Sequence, residues 1–144
     1  MEKNKKIVGC KETISIPDLD LFDLDAKVDT GADSNALHCD DIVVKDDTVS
    51  FTLLDEVHES YHGKRISFPI YKIKKVKSSN GQIQERPSIK VSVDFFGKKY
   101  KSVISLTNRS DMKFPMLIGR RFLSGRFLVD VEQEFLSKLN TKGN

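Results

Sequence analysis

The sequence predicts an all-β fold, a sandwich or barrel built from about eight to ten short strands. Three observations carry that prediction. Apolar and polar residues alternate with a period of two along most of the chain. Turn-forming pairs punctuate the alternation at hairpin spacing. Helical spacing is confined to two short stretches.

Taken in order, "TISIP" alternates and reads as a strand. "LFDLDAKVD" does the same, setting Leu21, Asp23, Asp25 and Lys27 on one face against Phe22, Leu24, Ala26 and Val28 on the other. "DIVVKDDTVSFTLL" reads as two strands joined at a turn, Asp46-Asp47. "RISFPIYKIKKVK" is a longer strand interrupted by Pro69, whose missing N–H confines it to an edge or a bend. Asn80-Gly81 in "SSNGQ" is a strong hairpin signal. "SIKVSVDFFGKKYKSVISL" gives a further hairpin turning at Gly97. Of the helical stretches, "DEVHESYHG" pairs Val57 with Tyr61 before Gly63, and "GRRFLSG" makes one turn closed by Gly125. "RFLVDVE" returns to strand and "FLSKLNTKGN" is a tail. Residues 1–144 are thus expected to form one domain, with a core of 9–131 and a tail of 132–144.

Apolar residues make up 38% and charged residues 31%, the balance of a water-soluble globule able to bury a core without staples. No run is long and apolar enough to suggest a membrane span. "MEKNKKIVGC" ends like a lipoprotein cleavage site but lacks the apolar stretch before it, so a cytoplasmic chain is expected. Cys10 and Cys39 form no framework and are expected to be free thiols. A net charge of +3 is too small to indicate nucleic acid, and "HGKR", "YKIKKVK" and "FGKKYK" read first as solvated strand faces. No Gly-rich phosphate cradle is present, so neither ATP nor another cofactor is expected on this chain.

The chemistry centres on "KVDTGADSNALHCDD". Asp29, Thr30 and Gly31 fit an ordinary turn, in which a short carboxylate satisfies nearby backbone donors. They also fit half of an aspartyl hydrolase site. That chemistry needs two carboxylates sharing one proton, so that one activates water while the other holds the proton. A tight turn must expose the carboxylate, with Thr30 offering a hydroxyl for bracing and Gly31 removing an obstructing Cβ. The chain holds one such motif, so the dyad would need a homodimer with a two-fold axis. A rival is "HESYH", His58 to His62, which matches a zinc-peptidase pattern with Glu59 as base. It lies between β stretches in a very short segment, and a third ligand could come only from His38 or Cys39, so no metal site is expected.

Downstream, "FPMLIGRRFLSGRFLVD" runs an apolar strand into Gly119, a helical turn and a last strand. This order resembles retroviral-type aspartic proteases, in which an apolar-apolar-Gly-Arg element backs the Asp-Thr-Gly loop. "DAKVDTGADSNALH", "SSNGQIQERP" and "SLTNRSDMKFPMLIGRRFLSGRFLVD" together resemble, over about Gly9 to Asp130, the RimB-like retropepsin-like aspartic endopeptidases, once labelled ATP-dependent zinc proteases. Cys10, where an aromatic residue is usual, and Asp33-Ser34, where Arg-Thr is common, depart from that pattern. The resemblance implies a closed retropepsin-like barrel with one short helix near the C-terminus, and Asp29 as the catalytic residue. It implies an ion pair between Asp33 and Arg120 beside Gly119, a flap at Asn80-Gly81, and substrate contacts from Ala32, Asn108 and Arg109. Arg126–Val131 would contribute to a dimer sheet. The implied substrates are peptides or proteins with glutamate-rich tails, and the implied partner is an ATP-grasp ligase. Two alternatives remain beside the peptidase: a non-catalytic module of the same fold binding acidic peptides, and a zinc peptidase through His58, Glu59 and His62.

Overall fold

In the computed structural model the described residues are 4–53, 58, 61–77, 80–108 and 113–138. Strands β1 (Lys6–Val8), β2 (Lys11–Ile16), β3 (Leu21–Val28) and β4 (Asn35–His38) are followed by β5 (Asp40–Lys45), β6 (Thr48–Thr52) and β7 (Arg65–Pro69). Next come β8 (Lys72–Lys77), β9 (Ile83–Phe95), β10 (Lys98–Thr107), β11 (Met116–Ile118), helix α1 (Arg120–Leu123) and β12 (Phe127–Val129).

Six strands close a barrel. β10, β4, β11, β3, β2 and β9 neighbour one another in that order, and β9 pairs back onto β10. β8 extends the sheet beyond β9, while β5, β6 and β7 form a separate antiparallel sheet. Closure removes edges that would otherwise expose unpaired backbone groups. Inward residues of the barrel, among them Leu24, Ala26, Leu37, Ile89, Val91, Ile104 and Met116, are at most 1% exposed. Each large aliphatic chain so buried contributes about 1.5–3 kcal/mol.

The turns follow the local chemistry. Asp46-Asp47 joins β5 to β6, with Asp46 left-handed at φ 54°. Phe96 and Gly97 join β9 to β10 with φ of 54° and 74°, the double left-handed turn that matches strand twist. β8 and β9 pair across the Asn80-Gly81 connection, Lys77 standing opposite Ile83. Pro69 closes β7 on the edge of the three-stranded sheet, and the chain then enters β8 in a different sheet. The "RISFP" and "YKIKKVK" segments are therefore two strands and not one bent strand.

Several elements depart from the periodic reading. In β3 the inward set is Leu21, Leu24, Ala26 and Val28, and Phe22 is exposed. Asp23 is left-handed at φ 53°, its amide donates to Ser15 Oγ, and the β2–β3 register shifts there, so one extra residue inverts the alternation. β4 and β1 were not legible as strands. Of the proposed "DEVHESYHG" helix, residues 54–57, 59 and 60 lie outside the described residues, and 61–63 are not helical. The tail is docked as far as residue 138. Phe135 N–H donates to Lys11 O, and the buried Glu12 carboxylate accepts from Gly9 N, Ser137 N and Ser137 Oγ.

Candidate active site

Two pairings bring the key segments to one end of the barrel. β11 runs parallel to β3, with Ile118 opposite Val28, and antiparallel to β4, with Met116 opposite Leu37. Asp29 and Gly119 therefore leave neighbouring strands side by side. Asp29 N–H donates to Ile118 O at 2.8 Å, which continues the ladder by one bond into the turn.

The turn is then closed on itself. Ala32 N–H donates to Asp29 O at 3.1 Å, and Gly31 N–H donates to Asp29 Oδ1 at 2.9 Å. Asp29 is half-buried, while Thr30 and Gly31 are exposed. A Cβ at Gly31 would sit 3.2 Å from Asp29 Oδ1, so a side chain there would press on the carboxylate. The Thr30 hydroxyl makes no hydrogen bond among the described residues. Its carbonyl accepts from Arg120 Nη1 at 3.0 Å.

The helix side fastens the same turn. Arg120 N–H donates to Ala32 O and Arg121 N–H to Asp33 O, at 2.8 and 3.0 Å. Gly119 fits between them only because it lacks a side chain: a Cβ would stand 2.6 Å from Ser34 O and 2.9 Å from Ala32 O. Gly119 N–H donates to Asn35 Oδ1 at 2.8 Å, and Asn35 Nδ2 donates to Ser102 Oγ at 2.7 Å. Asn35 is 2% exposed and ties the turn, the helix entry and β10 together. Sequence reading missed it, since its position between Ser34 and Ala36 resembles any turn exit.

Asp33 stands among three cations. Arg120 Nη2 is 3.6 Å from its carboxylate, Arg121 Nε 3.2 Å and Lys74 Nζ 4.0 Å. Arg121, not Arg120, makes the nearest contact, and Arg120 divides its guanidinium between Asp33 and Thr30 O. All three cations are more than half exposed, so this network orients the loop and adds little stability. Lys74 joins because it lies on β8, the first strand of the Asn80-Gly81 hairpin. Gly81 is left-handed at φ 87° and Asn80 Oδ1 accepts from Gln82 N–H at the hairpin tip. Asn108 follows β10 as an exposed residue, and Arg109 lies outside the described residues.

The histidines are placed elsewhere. His62 Nδ1 accepts from Lys64 N–H and its Nε2 faces Leu19 O at 3.0 Å, so backbone engages both nitrogens. His58 is buried between the rings of His38 and Tyr61, and Glu59 lies outside the described residues. Among the described residues no three His, Cys, Asp or Glu side chains gather at a spacing that could hold a metal ion. Burial, and secondarily the Asp40 charge, raises the Cys39 thiol well above its ordinary value, which holds it in the neutral form.

Comparison with known proteins agrees with this architecture. The chain is 31% identical over 143 residues to a "Probable alpha-L-glutamate ligase" of Shewanella halifaxensis, covering 94% of this chain and 30% of that protein. A protein of the same name from Parasynechococcus marenigrum is 31% identical over 132 residues, covering 89% of this chain and 28% of that one. The chain thus spans less than a third of the length of the curated relatives it matches. A crystal structure of a Legionella pneumophila protein with unknown function superposes with a TM-score of 0.71 at 26% identity, covering 93% of this chain and 99% of that one. No helix among the described residues is long and apolar enough to cross a membrane. A family model described as "RimB-like: Retropepsin-like aspartic endopeptidase RimB" matches residues 7–140, and the chain belongs to that family.

Proposed function

We propose that this chain is an aspartic endopeptidase that works as a homodimer, with one Asp29 from each copy forming a shared-proton pair. The observation that carries the reading is the Asp29 carboxylate, held by Gly31 N–H on a solvent-facing turn that both β11 and α1 fasten. One carboxylate activates a water for attack on the peptide carbonyl carbon, and the other protonates the carbonyl oxygen. The tetrahedral intermediate then collapses, the C–N bond breaks and the amine nitrogen takes a proton.

In this reading Thr30, whose hydroxyl makes no hydrogen bond among the described residues, braces the paired turn of the second copy. Arg126–Val131 adds to a dimer sheet, consistent with Leu128 and Val131 being 53% and 75% exposed. The Asn80-Gly81 hairpin closes over substrate and excludes water, while Ala32, Asn108 and Arg109 contact it. Residues 9–131 act as one catalytic unit. Glutamate-rich tails are the proposed substrate, supported by the ligase names of the relatives and by Lys72, Lys74, Lys75 and Lys77 on β8. The same names support a functional link to an ATP-grasp ligase. Free Cys10 and Cys39 suit a cytoplasmic setting.

Hydrolysis of a glutamate-rich peptide by wild type and Asp29→Asn tests the mechanism, with a loss of at least about 100-fold expected. A fully active variant, or loss of wild-type activity to chelator alone, would refute it. The second reading, a non-catalytic module binding acidic tails, draws on the ligase names of much longer relatives. Tight peptide binding by the dimer without cleavage from acid to neutral pH would select it.

A further inference from the structure

Behind the Asp29 turn lies an open cleft of about 310 Å³. Four cations line it, Lys72, Lys101, Arg121 and Arg126, with Tyr71 and Phe122 providing apolar wall. No Asp or Glu is among its described lining residues. Arg121 shares its charge with Asp33, but Lys72, Lys101 and Arg126 have no carboxylate partner among the described residues. Like charges turned into one concavity repel one another and raise the local concentration of anions.

The cleft's position is informative. Ser34 and Asn35, which leave the Asp29 turn, form one wall, and Lys72 at the start of β8 forms another. Side chains two apart on a strand share a face, so Lys72 and Lys74 point the same way, and Lys74 reaches Asp33 at 4.0 Å. A row of ammonium groups thus runs from the cleft to the loop beside Asp29.

We propose that this cleft is an accessory docking site for a carboxylate-rich peptide segment, separate from the residues that would perform cleavage. The occupant is chosen by charge and by the state of the rings. A single-stranded nucleic acid needs bare aromatic faces for stacking. Phe122 is 5% exposed, with Phe127 stacked on it at 5.9 Å and the Arg126 guanidinium 5.4 Å from its centroid. Tyr71 carries Lys90 5.3 Å from its centroid. Phe122 is closed off and Tyr71 has Lys90 over its ring. Lys72 and Lys101 make no ion pair or ring contact among the described residues and stay open to carboxylates, whereas Arg121 and Arg126 are already held by Asp33 and by Phe122 O. This goes beyond the peptidase reading, because docking here requires no chemistry at Asp29.

Fluorescence anisotropy of a labelled deca-glutamate peptide on the full chain tests it, with deca-glutamine and a charge-matched oligothymidylate as controls. Lys72→Gln/Lys101→Gln, both exposed residues outside the core, should weaken deca-glutamate binding about tenfold and flatten its salt dependence. Lys45→Gln, on the separate β5 sheet, should bind as wild type does. Unchanged binding in the double variant overturns the proposal. So does an equal loss in Lys45→Gln, which would mean diffuse charge, or tighter binding of oligothymidylate than of peptide. Because the readout is binding and not cleavage, a failed peptidase assay leaves this result interpretable.

Discussion

Gly119 passes so close to Ser34 that a Cβ on it would stand 2.6 Å from the Ser34 carbonyl oxygen and 2.7 Å from its carbon. Both atoms are backbone, and that backbone is the loop leaving the Asp29 turn. It is also pinned from the other side, since Arg121 N–H donates to Asp33 O. Gly119→Ala must therefore displace either the turn or the helix entry. Overpacking of this kind costs about 1–3 kcal/mol. The expected result is a lower urea midpoint with unchanged m-value, together with loss of any Asp29-dependent hydrolysis. A variant as stable as wild type would mean that the approach is looser than described.

Asn35 holds Gly119 N–H with its oxygen and Ser102 Oγ with its nitrogen while almost wholly buried. Asn35→Ala strands the Gly119 N–H in a dry site and removes both bonds. A buried unsatisfied group costs about 1–3 kcal/mol. Ser102→Ala removes only the second bond and should cost less. Chemical denaturation of the two single variants and the double variant checks this order. Strict additivity between them would argue against a connected bridge.

Glu12 is fully buried, and its two oxygens accept three hydrogen bonds from Gly9 and Ser137. In Glu12→Gln an amide N–H₂ replaces one oxygen and meets a donor head-on. Leaving a buried donor unsatisfied costs about 1–3 kcal/mol, so a loss in that range is expected. Hydrogen exchange should accelerate first at the Phe135 and Ser137 amides, because they anchor the tail to β2. Uniform acceleration across the barrel would instead indicate global unfolding.

What the sequence revealed was local, and what it hid was long-range. Hairpins at Asp46-Asp47 and Phe96-Gly97 were readable because two residues fix each turn, and the β8–β9 connection because it carries Asn80-Gly81. The β3 face was misread at its start because Asp23 adopts a left-handed conformation braced by Ser15, a partner from the preceding strand. β4 was invisible because its four residues are held by β10 and β11, more than sixty residues away in sequence. The same distance hid Asn35. Gly119 and Arg120 were found through a motif, whereas Arg121 and Lys74 reach Asp33 by geometry that spacing alone does not encode.

Asp20 illustrates a pH effect with a definite sign. Its hydrogen bond from Lys64 Nζ at 2.7 Å, then the charge of that ammonium, lowers its pKa from the ordinary 3.8. A carboxyl lowered on folding favours the folded state above its unfolded pKa, and this is lost as pH falls through the folded value. The window is therefore acid, below about pH 4. Lys64→Met should raise the Asp20 midpoint toward 3.8 in carboxyl NMR titration. An unmoved midpoint would show that the pair does not persist in solution.

Cys10 and Cys39 differ enough to be told apart by a thiol reagent. Cys39 is 0% exposed, its Sγ directed at Leu37 O at 3.7 Å, and burial raises its pKa well above the ordinary value. Reaction requires both access and thiolate, and Cys39 has neither. Cys10 is partly exposed. At pH 8, iodoacetamide followed by peptide mass mapping should label Cys10 in the native protein and reach Cys39 only in denaturant. Equal native labelling would mean that the β4–β5 junction opens. In that event Cys39 would regain the thiolate character that a zinc ligand requires, and the case against the histidine motif would weaken with it.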